Sequence, residues 1–558
     1  MRTLPGRTDE VVVVGAGLSG LAAALYLAGA GRNVTVVESA DGPGGRAGRI
    51  EERGYLLDTG PTVLTMPHLI EEAIAAAGGT MSRHIELLPL HPAYRARFAD
   101  GTHIDVHTGA DAMEAEVRRA AGATEAAGYR RLRRWLGELH RVQMRSFIDA
   151  NFDSPLGLLT PDLARLAALG GFGTWHGRVA RFVRDERLRR IFSFQALYAG
   201  VPPARALAAY AVIAYMDTVA GVYFPRGGMY AVPRGMAAAA RQAGVVFRHR
   251  TTVTRVERSP SGRASAVHTA DGARIPCDAL VLTCDLPLAH RLLGGAPRRP
   301  LPLRFAPSAF VLHTGGRTGG RDGGHREGPG PAHHTLSFGA AWHRTFRQLT
   351  RTGELMSDPS LLITTPTVTD PTLAPPGRTL RYVLAPCPNL ATGPHNWRAI
   401  APHYRDSLLA TLRERGLGGF GDAAGTDTDV DADVELERMV TPADWAARGH
   451  PAGTPFSAAH TFAQTGPFRT GNLPPGWENV VLAGCGTTPG VGVPTVLVSG
   501  KLAAARVTGL HRTAPRTRRP GAGLPRATVR SGGGRTTDPA REPAAATSPG
   551  TPARTPER

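Results

Sequence analysis

What this sequence has least of is lysine. Its basic side chains are arginines with the single exception of Lys501, so the formal charge of +19 is an arginine charge. A charge of that size ordinarily points toward nucleic acid or an anionic surface. Here it accompanies 68 Gly, 46 Pro and abundant Ala, the joint bias of GC-rich coding, and it carries no argument for a nucleic-acid partner. Cysteine is scarce as well. Cys277, Cys284, Cys387 and Cys485 form no C-x-x-C pair, which argues against a disulfide framework or a zinc ribbon and fits reduced thiols in the cytoplasm. Residues 1–10 lack the basic and apolar regions of a secretory signal. The uncharged run Val11–Gly31 is long enough to span a bilayer, but its four valines followed by Gly15, Gly17, Gly20, Gly29 and Gly31 read as strand, turn and helix. Paired carboxylates, a Ser/His/Asp arrangement and metal-ligand spacing are all missing, so no catalytic acid, base or metal site is assigned.

What is present is a globular composition, 42% hydrophobic and 20% charged over 558 residues, which is long enough for two domains. A βαβ unit opens the chain: Val11–Val14 as a buried strand, Leu18–Ala30 as a helix, Asn33–Glu38 as a second strand. From about Leu69 to Phe224 the pattern is mostly helical. It includes the apolar run Ala206–Met216, too short to span a membrane but suited to a buried or interfacial helix. Strand signals return at Val245–Glu257 and Ala279–Cys284, and the segment 335–470 mixes strands and helices. Residues 315–333, rich in Gly, Arg and His, read as a mobile surface loop, with His325, His333 and His334 solvated rather than metal-binding. Val480–Val507 reads as strand, glycine loop and helix. From His511 to Arg558 large apolar residues are nearly absent, and such a segment cannot bury enough surface to offset its ordering entropy. It reads as a disordered tail, with ten arginines after His511 against Asp538, Glu542 and Glu557.

The sharpest local signal is Gly15-Ala16-Gly17-Leu18-Ser19-Gly20, a G-x-G-x-x-G at a strand-to-helix junction. Gly15 permits the turn, Gly17 lets a pyrophosphate approach the backbone, and Gly20 lets helix and strand pack closely. The helix N-terminus offers free N–H groups and a positive dipole end to phosphate. Glu38, at the end of the second strand, is placed to accept both ribose hydroxyls of a dinucleotide. This much does not separate NAD from FAD.

The segments that follow do. Gly44-Gly45-Arg46 resembles the G-G-R of flavoproteins of the amine oxidase and desaturase group, and Leu57-Asp58-Thr59-Gly60-Pro61-Thr62 is similar to the stretch that runs beside their flavin ring. Asp58–Pro67, Phe194–Tyr198, Ala214–Gly228, Pro366–Pro375 and above all Gly484-Cys485-Gly486-Thr487-Thr488-Pro489-Gly490-Val491-Gly492-Val493-Pro494 resemble the bacterial-type carotenoid (phytoene) desaturases, over about residues 10–507. Cys485, Thr488, Thr495 and the pair Cys284-Asp285 depart from the family's usual residues, which bears on the flavin surroundings only. The resemblance implies an α/β fold with a Rossmann-like FAD-binding domain built from residues 1–75, 225–300 and 475–510. It implies a mixed α+β substrate and membrane-associated domain from 76–224 and 301–474. FAD would be held by Gly15, Ala16, Gly17, Leu18, Ser19, Gly20, Glu38, Ser39, Gly45, Arg46, Thr59, Gly60, Pro61, Thr62, Val253, Gly484, Gly492 and Val493.

The activity so implied is desaturation of phytoene and its intermediates through to lycopene, at the inner face of the cell membrane. An apolar polyene offers no polar handle, so recognition needs an apolar tunnel, for which Phe192–Tyr198 and Ala206–Tyr223 are the candidate lining. A sister desaturase or ketolase, an amine oxidase, and a non-enzymatic flavin and membrane-binding protein remain as alternatives. The flavin supplies hydride acceptance, which no side chain can.

Overall fold

The computed structural model describes residues 1–297, 301–317, 331–417 and 434–510. The arginine-rich tail, with His325 of the glycine-rich segment, lies outside them.

The opening βαβ unit forms where the glycine pattern put it, with strands Glu10–Val14 and Asn33–Val37 around a helix at Leu18–Gly29. Val11 to Val14 are all buried because the strand is covered on both faces, which is why the sequence shows a continuous valine run instead of alternation. The strand sits at the middle of a five-stranded parallel sheet in the order Val480–Leu482, Ala279–Leu282, Glu10–Val14, Asn33–Val37, Val246–Arg248. Five stretches spread over most of the chain therefore build one sheet.

The first helix is buried along nearly its whole length, packed by Ala231–Gln242 and by the closing helix Val493–Thr508. Small residues make that possible. A methyl group on Gly500 would lie 2.3 Å from the Ser19 carbonyl oxygen, so the two helices meet backbone to backbone. Lys501 pins the closing helix from the other side through Glu72 at 2.8 Å and Asp149 at 2.7 Å.

A second, seven-stranded sheet runs in the order Val434–Val440, Ser308–Arg317, Arg378–Cys387, Leu361–Thr364, His334–Phe338, Tyr94–Phe98, His103–Val106. Its core is antiparallel, and Tyr94–Phe98 joins it parallel to His334–Phe338. The mostly helical reading of Leu69–Phe224 holds, interrupted by Tyr94–Phe98 and His103–Val106, by Leu87–Pro89 and by the strand that begins at Tyr223. The strand signal at Val245–Glu257 resolves into two strands, Val246–Arg248 and Val253–Arg258, that belong to different sheets.

Two further readings are corrected. Ala206–Met216 is buried, not interfacial, and it is not one helix: it breaks into a 3₁₀ turn at Ala208–Ala211 and a short helix at Val212–Thr218, with Ala206, Ala208, Ala211, Val212, Ala214 and Met216 buried. His333 and His334 are not solvated; His334 begins a buried strand and His333 precedes it, and burial pushes their pKa values down, that of His333 to about 3. Each instead meets a threonine hydroxyl through Nδ1, Thr369 at 2.7 Å and Thr364 at 3.0 Å. Among the described residues no helix is long and apolar enough to cross a membrane, and all four cysteines are free thiols.

Candidate functional site

A single large cavity of about 740 Å³ runs from the G-x-G-x-x-G turn to the second sheet. At the turn, Gly15 has φ +105°, and a side chain there would run into the Thr283 hydroxyl at 2.5 Å. A methyl on Gly20 would sit 2.0 Å from the Gly15 carbonyl oxygen, so this glycine serves packing and does not face the cavity. Ala16 is likewise enclosed; its N–H donates to Glu38 Oε2 at 2.7 Å. The Ala40 N–H (2.9 Å) and the Ser39 hydroxyl (3.1 Å) donate to the other Glu38 oxygen. Glu38 is thus held rigidly with lone pairs left over at the cavity wall. The remaining candidate residues, Gly15, Gly17, Leu18, Ser19, Glu38, Ser39, Gly45, Arg46, Thr59, Gly60, Pro61, Thr62, Val253, Gly484, Gly492 and Val493, all line that one cavity.

Three glycine-rich segments converge there. Gly17 pairs with Gly44, and a methyl on Gly45 would lie 3.3 Å from the Gly17 Cα. The Gly60 backbone presses on that of Arg46, where an added Cβ would be only 2.1 Å from the carbonyl oxygen. Gly492, at φ +124°, precedes the closing helix, whose first turn has no side-chain cap and opens onto the cavity. The Ser19 hydroxyl is buried at the wall with no partner. A notch without side chains, two uncapped helix N-termini, an unpartnered hydroxyl and a fixed carboxylate suit a dinucleotide: backbone N–H for phosphate, Glu38 for ribose.

Arg46 does not stand free. Its Nη2 contacts both oxygens of Asp285 at 2.7 Å, His450 Nδ1 lies 2.8 Å from the same carboxylate, and the Cys485 thiol is 3.7 Å away. Although burial opposes ionisation of Asp285, the Arg46 guanidinium and the His450 contact hold its carboxyl well below the usual range. The departures noted at Cys284-Asp285 and Cys485 therefore fall in one cluster with Arg46. Nothing local in the sequence announces His450 as its fourth member. Arg469, buried with Nε on the Thr487 carbonyl oxygen (3.0 Å) and Nη2 on that of Cys485 (2.6 Å), fixes the closing glycine loop and was also missed.

Beside the notch, the Asp58 carboxylate accepts the N–H groups of Met229 (2.8 Å) and Tyr230 (3.1 Å). Its burial pushes the carboxyl up to about 6. It anchors the segment Thr59–Thr62 to the glycine turn at Gly228, and the Tyr382 hydroxyl donates to the Gly60 carbonyl oxygen at 3.2 Å.

Away from the notch the cavity becomes apolar. Phe194, Leu197, Ile213, Met216, Phe338 and Trp342 form its walls. Part of each expected lining stretch takes part: Phe194, Leu197 and Tyr198 from a 3₁₀ turn, and Tyr210, Val212, Ile213, Met216 and Asp217 from the broken helix, whereas Phe192 turns into the core against Tyr129. Among the described residues no group of three or more His, Cys, Asp or Glu side chains is placed to hold a metal ion.

Comparison with known proteins agrees with this geometry. Residues 18–508 match the family of flavin containing amine oxidoreductases. Over 511 residues the chain is 66% identical to a phytoene dehydrogenase of Streptomyces griseus, covering 91% of this chain and 97% of the relative. It is 33% identical to a zeta-carotene-forming phytoene desaturase of Myxococcus xanthus (89% and 93% covered). To a lycopene-forming phytoene desaturase of a Paracoccus species the identity is 32% (88% and 96% covered). Among solved structures, an oxidoreductase from Methanosarcina mazei superposes with a TM-score of 0.55 at 15% identity, covering 88% of this chain and 99% of its own. A putrescine oxidase variant reaches the same TM-score at 17% identity, covering 89% and 98%. The fold is that of the amine oxidase-type flavoproteins and the cofactor is FAD. The chain belongs to the flavin-containing amine oxidoreductase family, in the branch of the phytoene desaturases.

Proposed function

We propose that this enzyme introduces C=C bonds into phytoene and carries the series through to lycopene. The observation that carries the reading is that the dinucleotide notch and an apolar arm line one and the same cavity. FAD in the notch would rest its pyrophosphate on the N-terminus of the first helix, with Glu38 on the ribose. The flavin ring would lie between Thr59–Thr62 and the closing helix. When bound, the cofactor supplies a hydride acceptor. The chain's own contribution is to position a hydrocarbon against it and to exclude water. The uncapped start of the closing helix favours negative charge near it, which suits the reduced ring. Residues 1–75, 225–300 and 475–510 serve as the flavin half, and 76–224 with 301–474 as the substrate half.

A long apolar substrate resides in a bilayer, so the protein works as a peripheral membrane enzyme. Support for this comes from apolar side chains left in water: Leu156 (74% exposed), Leu159 (71%), Phe172 (51%), Phe462 (65%) and Phe468 (55%). Phe172 adjoins Gly171 and Gly173, whose carbonyl oxygens accept from Ala209 and Ala208. The Phe462 and Phe468 rings meet at a tilt, 5.9 Å apart, close in sequence to His460, whose Nδ1 meets the Tyr210 hydroxyl at 2.9 Å. Both groups thus flank Tyr210, a cavity residue, and this takes over the role first given to Ala206–Met216. Single exposed apolar residues are ordinary; three exposed phenylalanines flanking one cavity residue are not. The test is direct. FAD-loaded protein with phytoene in liposomes should lose its oxidised flavin absorption anaerobically and, with an electron acceptor, yield the progressively red-shifted absorption of longer polyenes. Unchanged phytoene beside an active carotenoid of another kind would overturn the assigned substrate.

A further inference from the structure

One charged group in the apolar arm is out of keeping with a hydrocarbon. Asp217, near the end of the short helix Val212–Thr218, lines the cavity yet is only 4% exposed. Its neighbours are neutral. The Tyr94 hydroxyl and the Gln195 amide face it, and Tyr198 stands next to Tyr94. Neither Tyr94 nor Gln195 reaches full hydrogen-bond geometry, and Asp217 Oδ2 has no donor at all. Around this island the structure is aromatic: Tyr94 meets Phe194 edge-on at 5.7 Å and stacks on His334 at 5.5 Å, while on the next helix His140 stacks on Tyr215 at 4.2 Å. Burial pushes the pKa values of both histidines down, leaving them neutral. Among the described residues no arginine, lysine or charged histidine pairs with Asp217.

A buried carboxylate without a cation is costly unless something else uses it. The chain leaving this helix reaches Tyr223, which bridges Leu64, and Asp217 lines the same cavity as the Thr59–Val63 segment that borders the notch. We propose that Asp217 is the catalytic base of the desaturation and the counter-charge for the positive carbon that forms in it. The inference rests on the reading of the apolar arm as the polyene site. One C–H bond of the saturated pair breaks with both electrons, passing as hydride to the flavin. The C–H bond on the adjacent carbon then breaks toward a carboxylate oxygen of Asp217, which takes the proton. The electron pair left behind closes the C=C bond, and the carboxylic acid afterwards gives its proton to water. An unpaired, desolvated anion beside a delocalised allylic cation stabilises it where water cannot.

Only the ionised form can act, and burial raises the Asp217 carboxyl to about 7, close to the working pH of a matched base. The groups facing it are Tyr94, Tyr198 and Gln195, with His334 behind Tyr94 and His140 on the packed helix, and none of these is charged at that pH. Anaerobic single-turnover bleaching of the flavin by phytoene in liposomes should therefore speed up as pH rises through about 7 and then level off. Asp217→Asn should bleach about 100-fold more slowly or worse and lose that pH dependence. It should also keep wild-type FAD content and bind phytoene as wild type does, read by quenching of protein fluorescence. Asp217→Glu should recover part of the rate with a shifted profile. A wild-type rate flat across pH 6–8 (roughly one unit either side of the expected midpoint), or an Asp217→Asn variant as fast as wild type, overturns this inference alone. Wild-type protein that phytoene never bleaches overturns the substrate reading and this inference with it.

Discussion

Gly60→Ala is the smallest change that tests whether the notch works as described. Gly60 does not need a left-handed backbone, so alanine is tolerated conformationally and only space is at issue. The new Cβ would lie 2.1 Å from the Arg46 carbonyl oxygen and 2.9 Å from its carbon. Ordinary contact is 3.4 Å or more, so the Thr59–Thr62 segment and the Gly44–Ala47 turn must separate by roughly 1.3 Å. Both are backbone, and neither can rotate away. Asp58 anchors one to Met229 and Tyr230, while the Gly17–Gly44 bridge anchors the other. Overpacking of that kind costs about 1–3 kcal/mol of stability, and a 1 Å misplacement at a site costs on the order of 100-fold in rate. Because both segments border the notch, the loss should appear first as weaker FAD binding, by about 10- to 100-fold at 1.4 kcal/mol per decade. Flavin fluorescence titration of the apoprotein measures it, with thermal unfolding of the apoprotein as the companion assay. Gly471→Ala is the control, since nothing lies within 4 Å of its added methyl. If Gly60→Ala takes up FAD as well as the control does, the notch is not where the cofactor sits.

Three other outcomes are expected. Asp285→Ala strips Arg46 of its counter-ion and His450 of its partner. Since Arg46 stays 29% exposed at the side chain, the apoprotein should lose about 2 kcal/mol, less than a fully buried pair, and denaturant titration checks it. The Asp285 carboxyl is held below its unfolded value, so its contribution is complete above about pH 4 and is lost as pH falls through the folded pKa. The wild-type and Asp285→Ala stabilities should therefore converge in acid and differ most at neutral pH. Phe462→Ser with Phe468→Ser should lower flotation with liposomes while leaving FAD content and detergent-assay turnover intact; unchanged flotation would remove these rings from the membrane face. Deleting residues 512–558 should leave flavin content unchanged and lower binding to anionic liposomes at low salt only, since screened arginines contribute on the order of 1 kcal/mol each near such a surface. Loss of flavin on deletion would make the tail part of the fold.

Much of the notch was legible in the chain because it is made locally. Four valines, three glycines at fixed spacing and a carboxylate one strand later specify a strand, a turn, a helix and a carboxylate at the cavity wall within about thirty residues. The closing glycine loop reads in the same way, since Gly484 and Gly492 must take backbone conformations that side chains resist, at φ +113° and +124°. What the residues could not declare is whatever depends on distant partners. Tyr94–Phe98 alternates apolar and arginine side chains, a strand signal in itself, but that His334–Phe338 arrives beside it in parallel from far along the chain is not written there. Ala206–Met216 looks like one apolar helix, yet the cavity bends it and buries it, and the water-exposed apolar residues lie elsewhere. His333 and His334 follow a run of glycines and arginines and read as solvent-facing, until the strand they enter is sealed by Phe224 and Tyr94. The cluster of Arg46, Asp285, Cys485 and His450, and the unpaired carboxylate of Asp217, are likewise decisions of tertiary structure. Hydrogen bonding and desolvation act over a few ångströms in space, and only the folded chain brings such residues within that range.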